Sequence, residues 1–197
     1  MSETNTRVIG VVLAGGRSSR FNGVDKTFIP LCGKPLLSHV IERLTPQVER
    51  VAISSNTAPE KFVSYGCDVI ADVFQDAIGP LAGIHAVLRR WPDREIVTVA
   101  VDLPFLPYDL VKRLRSSSTE NTCTFASSGE RHTFAIWWPP GLHEEVEEFI
   151  KSGRRRLKEW LEYRGRAVVL PPGDDRDMMF NINTPADLAA AEARLKT

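Results

Sequence analysis

The residues best suited to bind an anion lie in one glycine-containing stretch near the N-terminus. An apolar run over residues 8–13 leads into Gly15 and Gly16, and the cations Arg20 and Lys26 follow. Glycine lets the backbone turn sharply without a Cβ that would obstruct a ligand. Exposed N–H groups beside cations suit phosphate groups. The stretch therefore predicts nucleotide binding; the alternative interpretation is an ordinary turn after a core strand, followed by surface cations.

Two common phosphate-binding motifs do not describe this stretch. No Gly-Lys-Ser or Gly-Lys-Thr sequence closes it, as a Walker A loop requires, and the third glycine of the dinucleotide-binding fingerprint is missing. The residues at this point therefore predict a phosphate site without assigning it to either of those two classes.

Further along the chain, single polar residues stand where predicted strands stop. They are Asn56, Asp72 and Asp102. Because ligands of open α/β sheets bind beyond the carboxyl ends of the strands, we expect these residues to share one sheet edge with the glycine turn. Each alone is also explained as a turn residue, a helix cap or a loop acid, so the prediction depends on their convergence.

Asp102 is the best candidate for a metal ligand. It follows the apolar run of residues 96–101 and precedes Leu103 and Pro104, so its carboxylate is attached to a rigid strand. Mg²⁺ prefers oxygen, is often held by one or two carboxylates, and takes further ligands from substrate phosphates. The sequence therefore predicts that Asp102 holds Mg²⁺.

Strands that alternate with helices must position these residues. Apolar runs predict strands, and apolar residues at helical spacing predict helices. In the first part of the chain, the predicted strands are 8–13, 51–56, 67–71 and 95–101, with helices starting near 35, 59, 80 and 110. Later segments predict strands at 122–126, 133–138 and 167–170, and helices at 142–151, at 154–164 and after Thr184. The alternation predicts an α/β fold with a three-layer, doubly wound, mainly parallel sheet and right-handed crossovers.

Composition narrows the class of protein. The 197 residues suit one α/β domain or two small ones. The 25 basic and 25 acidic residues balance, which gives no electrostatic case for nucleic acid or an anionic membrane. Cys32, Cys67 and Cys123 have neither a disulfide framework nor metal-site spacing, so we expect a reducing cytoplasm. We also expect no signal peptide and no membrane span.

The motifs, taken in order, resemble those of the molybdenum cofactor guanylyltransferases within the NTP-transferase nucleotidyltransferase superfamily. The resemblance covers nearly the whole chain, and the combination of motifs is more specific than any one of them. The motifs lie at Leu13-Ala14-Gly15-Gly16, Ser18-Ser19-Arg20, Gly23-Val24-Asp25-Lys26, Gly33-Lys34-Pro35-Leu36, Gly79-Pro80-Leu81-Ala82-Gly83, Val101-Asp102-Leu103-Pro104-Phe105 and Asn181-Ile182-Asn183-Thr184-Pro185.

The resemblance implies a reaction and a fold. The reaction is transfer of GMP from GTP to the terminal phosphate of molybdopterin, with Mg²⁺, giving the guanine dinucleotide form of the cofactor and pyrophosphate. The fold is a Rossmann-type fold like that of the nucleotide-diphospho-sugar transferases. A single domain would span residues 1–197, with a GTP-binding half at about 1–115 and an acceptor-binding half at 116–197.

The resemblance also implies roles for individual residues. The expected catalytic residues are Arg20, Lys26 and Asp102, with Asp102 on the metal. The expected nucleotide-binding residues are Leu13, Ala14, Gly15, Gly16, Lys26, Asn56, Asp72 and Asp102. Asn181 and Asn183 resemble positions that face the pterin product or the metal. The chain departs from the family at His132-Thr133, where members often have His-Pro, and the departure concerns the pterin pocket.

Other functions remain open on the sequence. The enzymatic alternatives are a CTP-dependent molybdopterin cytidylyltransferase and a sugar-phosphate nucleotidyltransferase, and the non-enzymatic alternative is a carrier that binds the pterin or the nucleotide. Beyond the substrates, the expected partners are a molybdenum-insertion protein and the chaperones of client enzymes. The expected oligomeric state is a monomer.

Overall fold

The computed structural model describes residues 8–14, 21, 23–74, 79–119, 122–127, 135–169 and 180–196. The strands are β1 (Val8–Leu13), β2 (Pro30–Leu31), β3 (Lys34–Pro35), β4 (Arg50–Ser54), β5 (Asp68–Ile70), β6 (Glu95–Ala100), β7 (Cys123–Ser127), β8 (Ala135–Trp138) and β9 (Gly165–Val169). The α-helices are α1 (Leu36–Leu44), α2 (Pro80–Arg90), α3 (Leu110–Ser116), α4 (His143–Lys151), α5 (Leu157–Arg164) and α6 (Pro185–Leu195). Short 3₁₀ helices span Lys26–Phe28, Thr45–Gln47 and Pro59–Tyr65.

The main sheet has β1 near its centre. In the described part of the chain its order is β5-β4-β1-β6-β8-β7-β9. The strands β5, β4, β1 and β6 run parallel, β8 is antiparallel to both β6 and β7, and β9 is parallel to β7. The prediction of a mainly parallel sheet is therefore confirmed, with β8 as the reversed strand.

Helices cover both faces of the sheet and form two cores. Apolar residues of α1, α3 and α6 share one core with Val8 and Val12 of β1. Those of α2, α4 and α5 share the other core with Ile9 and Val11. Because β1 has core on each side, its apolar residues do not alternate with polar ones, as expected for a strand inside a three-layer fold. In the described residues, none of the helices has the length and apolar character needed to cross a bilayer.

A short hairpin, β2–β3, is the main element that the sequence did not predict. Its strands have two residues each, which is too short for any periodic pattern to be seen. The turn between them places Cys32 at φ 49° and Gly33 at φ 79°, and glycine favours that left-handed region. Because Pro35 pairs with Pro30 in this hairpin, α1 begins at Leu36 rather than at Pro35.

Candidate active site

The predicted site residues that the structure describes follow the parallel strands at one edge, which we call the carboxyl edge. Leu13 ends β1 and Ala14 follows it, while Asn56, Asp72 and Asp102 each come two residues after the end of a parallel strand. Backbone bonds continue past the strands, from the amide of Ala14 to the carbonyl of Ser54 (2.9 Å) and from Ser55 to Ile70 (3.0 Å). The parallel pairing of β5, β4, β1 and β6 confirms that these strands end at one edge, while the glycine turn of the same prediction lies outside the described residues.

A lysine joins two distant parts of the chain at this edge. Lys26 Nζ donates to Asp102 Oδ2 at 2.7 Å and to Asn183 Oδ1 at 2.9 Å. The Lys26 and Asp102 side chains are only 14% and 15% exposed. The amide of Ile182 also donates to the carbonyl of Asp102 (3.0 Å), which fixes the segment before α6 against the loop after β6. Residues predicted for nucleotide and for acceptor are therefore in direct contact.

Asp102 has an environment that suits a cation. Burial raises the pKa of its carboxyl above the ordinary value, while the neighbouring Lys26 ammonium opposes that rise. Its second oxygen, Oδ1, is buried and has no hydrogen-bond partner within the described part of the chain. An unsatisfied buried acceptor is costly, so a cation or donor at this oxygen would stabilise it.

The donor set fits Mg²⁺ in a nucleotide-bound state. Among the described residues, no three His, Cys, Asp or Glu side chains are grouped closely enough to hold a metal by themselves. Mg²⁺ does not require such a group, because one carboxylate, water and substrate phosphates can complete its octahedral shell. The unpartnered Asp102 Oδ1 is the protein oxygen that this arrangement needs.

Asn56 and Asp72 form a reciprocal pair beside β4 and β5. Asn56 Nδ2 donates to Asp72 Oδ2, and the amide of Asp72 donates to Asn56 Oδ1, both at 2.9 Å. Gly83 of α2 packs against the same place: a Cβ there would lie 2.4 Å from Ser54 Oγ and 3.1 Å from Asp72 Oδ1. Close packing of α2 on β4 therefore accounts for a glycine inside this helix.

Asp25 connects the Lys26 turn to the loop that contains Asn56. Its Oδ1 accepts from the amide of Thr27 (3.0 Å), capping the 3₁₀ helix, and its Oδ2 accepts from Thr57 Oγ1 (3.3 Å). Thr27 Oγ1 and Ser55 Oγ both donate to the carbonyl of Ala14, at 3.4 and 3.1 Å. The segments after β1 and β4 and the Lys26 turn are thus tied together directly before the glycine pair.

The sequence prediction and the described site differ in coverage. Gly15, Gly16 and Arg20 lie outside the described residues, so their roles stay predictions. Asn181 lies two residues before Asn183, and its Oδ1 is buried without a partner among the described residues.

The prediction omitted Asp25 and Asp187 as site residues. The signal that identifies both is a carboxylate at a helix start, where it accepts backbone N–H bonds.

A mainly parallel sheet with a lysine, a buried carboxylate and an asparagine grouped at its carboxyl edge defines an α/β protein whose ligand site is expected at that edge. Residues 10–168 match the model of the family described as "MobA-like NTP transferase domain", and the chain belongs to that family. It is therefore a nucleotidyltransferase, an enzyme rather than a carrier.

Relatives and a solved structure match the chain over nearly its full length. A protein of Mesorhizobium japonicum named "Molybdenum cofactor guanylyltransferase" is 38% identical over 203 residues, covering 96% of this chain and 97% of that protein. A protein of the same name from a Bradyrhizobium species is 38% identical over 200 residues, covering 97% and 94%. The crystal structure of "Molybdopterin-guanine dinucleotide biosynthesis protein A" from Archaeoglobus fulgidus superposes with a TM-score of 0.78 at 28% identity, covering 95% and 98%.

Proposed function

We propose that this enzyme transfers GMP from GTP to the terminal phosphate of molybdopterin, giving the guanine dinucleotide form of the cofactor and pyrophosphate. The names of the full-length relatives support the choice of nucleotide and acceptor. The observation that carries the proposal is the contact of Lys26 Nζ with both Asp102 and Asn183, because it joins residues expected to bind the two substrates.

Each predicted site residue has a proposed task. Asp102 would hold Mg²⁺ through its free oxygen, and the ion would supply positive charge at the phosphates. Lys26 and Arg20 would bind the triphosphate, and Asn181 and Asn183 would face the acceptor. The proposed nucleoside and phosphate contacts are Leu13, Ala14, Gly15, Gly16, Asn56 and Asp72.

The reaction requires positioning rather than a general base. The acceptor phosphate is already anionic, so one of its oxygens can form a bond to the α-phosphorus of GTP without losing a proton. The bond from that phosphorus to the bridging oxygen breaks, and pyrophosphate leaves in line. Lys26, fixed by two acceptors, holds a positive charge where the leaving group gains negative charge.

The proposal also assigns the two substrates to different halves of the chain. Residues 1–115 would bind GTP and residues 116–197 would complete the acceptor site, and Asn183 of the second half contacts Lys26. We propose that the enzyme is a monomer in the cytoplasm. A molybdenum-insertion protein and the chaperones of client enzymes would be its partners before and after the reaction.

The direct test is pyrophosphate release from purified enzyme with Mg²⁺, molybdopterin and one nucleotide at a time. We expect release with GTP and little with CTP or UTP. Release with CTP instead would indicate a cytidylyltransferase. Release only when a sugar phosphate replaces molybdopterin as the acceptor would indicate a sugar-phosphate nucleotidyltransferase. No pyrophosphate release with any of these nucleotides would refute the proposed pair of substrates.

The Asp102→Asn substitution tests the proposed metal ligand in the same assay. It removes the charge but keeps the shape, so turnover should fall by roughly 10²-fold or more while the fold survives. Asp68→Asn is the matched control, because Asp68 is exposed at the start of β5, away from the carboxyl edge. Normal GTP-dependent turnover of Asp102→Asn would refute the assignment.

A further inference from the structure

We infer that Asp187 is a positioning residue for the transfer reaction: it fixes Asn183, and through Asn183 it fixes the Lys26 ammonium. The inference rests on the proposed function for its consequence but on the hydrogen bonds of the site for its geometry. Asp187 lies in the first turn of α6 and contacts neither Lys26 nor Asp102 through a hydrogen bond that the structure records.

The bonds of Asp187 exceed what a helix cap needs. In a capping box the carboxylate accepts from the amide of the cap residue, and Asp187 Oδ2 does so from Thr184 at 2.7 Å. Thr184 Oγ1 completes the box by accepting from the amide of Asp187 at 3.2 Å. Asp187 Oδ2 also accepts from the amide of Asn183 at 2.9 Å, one residue before the cap. That extra bond fixes the backbone of the residue whose side chain contacts Lys26.

The consequence at Lys26 follows from counting donors. An ammonium carries three N–H bonds. In the described part of the chain, Asp102 Oδ2 and Asn183 Oδ1 accept two of them, at 2.7 and 2.9 Å. Two fixed acceptors stop rotation about the Cε–Nζ bond, so the third N–H has one direction available for a phosphate oxygen. Loss of the Asn183 anchor would leave the ammonium held at Asp102 alone.

Helix α6 supports the same segment at a second point. The Arg194 guanidinium lies 4.0 Å from the centre of the Phe180 ring, so the last turn of α6 contacts the residue before Asn181. The carboxylate of Asp187 is also charged at neutral pH: burial opposes ionisation, but bonds from Thr184 and Asn183 keep its pKa below the ordinary value. A charged acceptor makes stronger bonds to the two amides than a neutral one would.

Two variants that each remove part of the capping box of α6 distinguish a role of Asp187 in positioning Asn183 from its role as a helix cap. Asp187→Ala removes the hydrogen bonds that the Asp187 carboxylate accepts from the backbone amides of Asn183 and Thr184. Thr184→Ala removes the hydrogen bond from the Asp187 amide to Thr184 Oγ1, and it keeps the bond between the Asn183 amide and the Asp187 carboxylate. We expect similar falls in melting temperature. We expect about a tenfold loss of kcat with little change in KM for GTP in Asp187→Ala, and less than a threefold change in Thr184→Ala.

A double-mutant cycle tests whether Asp187 acts through Asn183. If it does, Asp187→Ala combined with Asn183→Ala should be no slower than Asn183→Ala alone. Multiplied losses in the double variant would overturn the inference. Should Asp187→Ala fail to fold, Asp187→Asn replaces it in the cycle, since the amide oxygen still accepts but has no charge; we expect a several-fold loss of kcat.

A measurement without substrates keeps this inference separate from the proposed function. In ¹⁵N NMR of the free protein, the anchored Lys26 ammonium should give a slowly exchanging signal, assigned by its absence in Lys26→Arg. The signal should persist in Thr184→Ala and broaden or vanish in Asp187→Ala. Persistence in both variants, or equal loss in both, would overturn the inference, whatever nucleotide the enzyme uses.

Discussion

Lys26 and Asp102 balance each other's charge at the centre of the site. Both side chains are mostly removed from water, and the 2.7 Å contact between them leaves one carboxylate oxygen unpartnered among the described residues. Breaking a buried pair by removing one partner is costly because the other charge stays unpaired. In the proposed function, a cation would bind the unpartnered oxygen of Asp102 and an anion would bind Lys26, so the pair would stay neutralised when the substrates are bound.

Removal of the Lys26 ammonium should weaken GTP binding. A hydrogen bond to a charged group contributes about 1.5–3 kcal/mol, so Lys26→Ala should raise the Kd for GTP by roughly 10- to 100-fold. Isothermal titration calorimetry measures this directly. Lys34→Ala is the control, since Lys34 pairs with Glu42 in the last turn of α1, apart from the Lys26 and Asp102 contacts. An unchanged Kd in Lys26→Ala would remove Lys26 from the nucleotide site.

At the residue scale, the sequence predicted which residues belong to the site but not which hydrogen bonds they form. Lys26, Asp102 and Asn183 were selected by their motifs, and the structure brings them together. A carboxylate at a helix start indicates that Asp25 and Asp187 accept backbone N–H bonds there. It does not indicate the additional bond from the amide of Asn183 to Asp187, because every residue except proline has an amide.

At the element scale, helix α2 connects core packing to the site. Gly83 lets the helix lie against Ser54 and Asp72, where a Cβ would come within 2.4 Å of Ser54 Oγ. Alanine is favoured over glycine inside helices by about 1 kcal/mol, but the overlap should exceed that gain. Gly83→Ala should therefore lower the melting temperature and, by displacing Asp72, also the GTP affinity.

A second substitution, at Ser54, tests whether the overlap with Ser54 Oγ causes the lower melting temperature of Gly83→Ala. Ser54→Ala removes the overlapping oxygen, and the remaining Ser54 Cβ lies 3.7 Å from the Cβ position at Gly83, an ordinary contact. Ser54→Ala with Gly83→Ala should regain most of the lost melting temperature. If the double variant melts no higher than Gly83→Ala, the overlap with Ser54 is not what makes alanine unfavourable there.

The contact between α2 and α4 should depend on pH through His85. This side chain is 1% exposed, and neither of its ring nitrogens has a hydrogen-bond partner in the described residues. Burial lowers its pKa below the ordinary 6.5; Glu147 opposes that shift, while Arg89 and His143 add to it. Below pH 6.5 the unfolded chain therefore binds more protons than the folded one, and stability falls as pH drops.

Substitution of His85 should remove that loss. From pH 8 to pH 5 the wild type should lose unfolding free energy that His85→Leu does not lose. Urea unfolding at several pH values measures the difference, and comparison of each protein with itself at pH 8 removes the effect of altered packing. Parallel pH curves for the two proteins would show that His85 does not titrate on unfolding.

At the scale of the whole molecule, local sequence patterns predicted the strands and helices but not which strands lie next to each other in the sheet. The four parallel strands and their crossover helices were expected, since unbroken apolar runs and helical periodicity are local signals. The insertion of β8 between β6 and β7, with its reversed direction, was not, because strand order depends on contacts between residues far apart in the sequence. The sequence likewise predicted the start of α6 at Thr184 but not its contact with the first half.

The two proposed halves should unfold as one unit. Strand β6 of the first half pairs with β8 of the second from Ile96 to Val99, and one core contains Val97 of β6 and Trp137 of β8. A fragment of residues 1–115 would expose that strand edge and core. Of the four tryptophans, only Trp91 lies in the first half, so tryptophan fluorescence reports mainly on the second half and far-UV circular dichroism on both.

We therefore expect the two signals to give the same midpoint in urea, as a two-state transition requires. The isolated fragment of residues 1–115 should give no cooperative transition, because it lacks the β8 partner of β6 and the Asn183 contact of Lys26. Addition of GTP and Mg²⁺ should move both midpoints of the whole chain upward together, since ligand binding to the folded state stabilises everything that unfolds with it. Separate midpoints, or a fragment that folds cooperatively by itself, would mean that the acceptor half is a distinct domain.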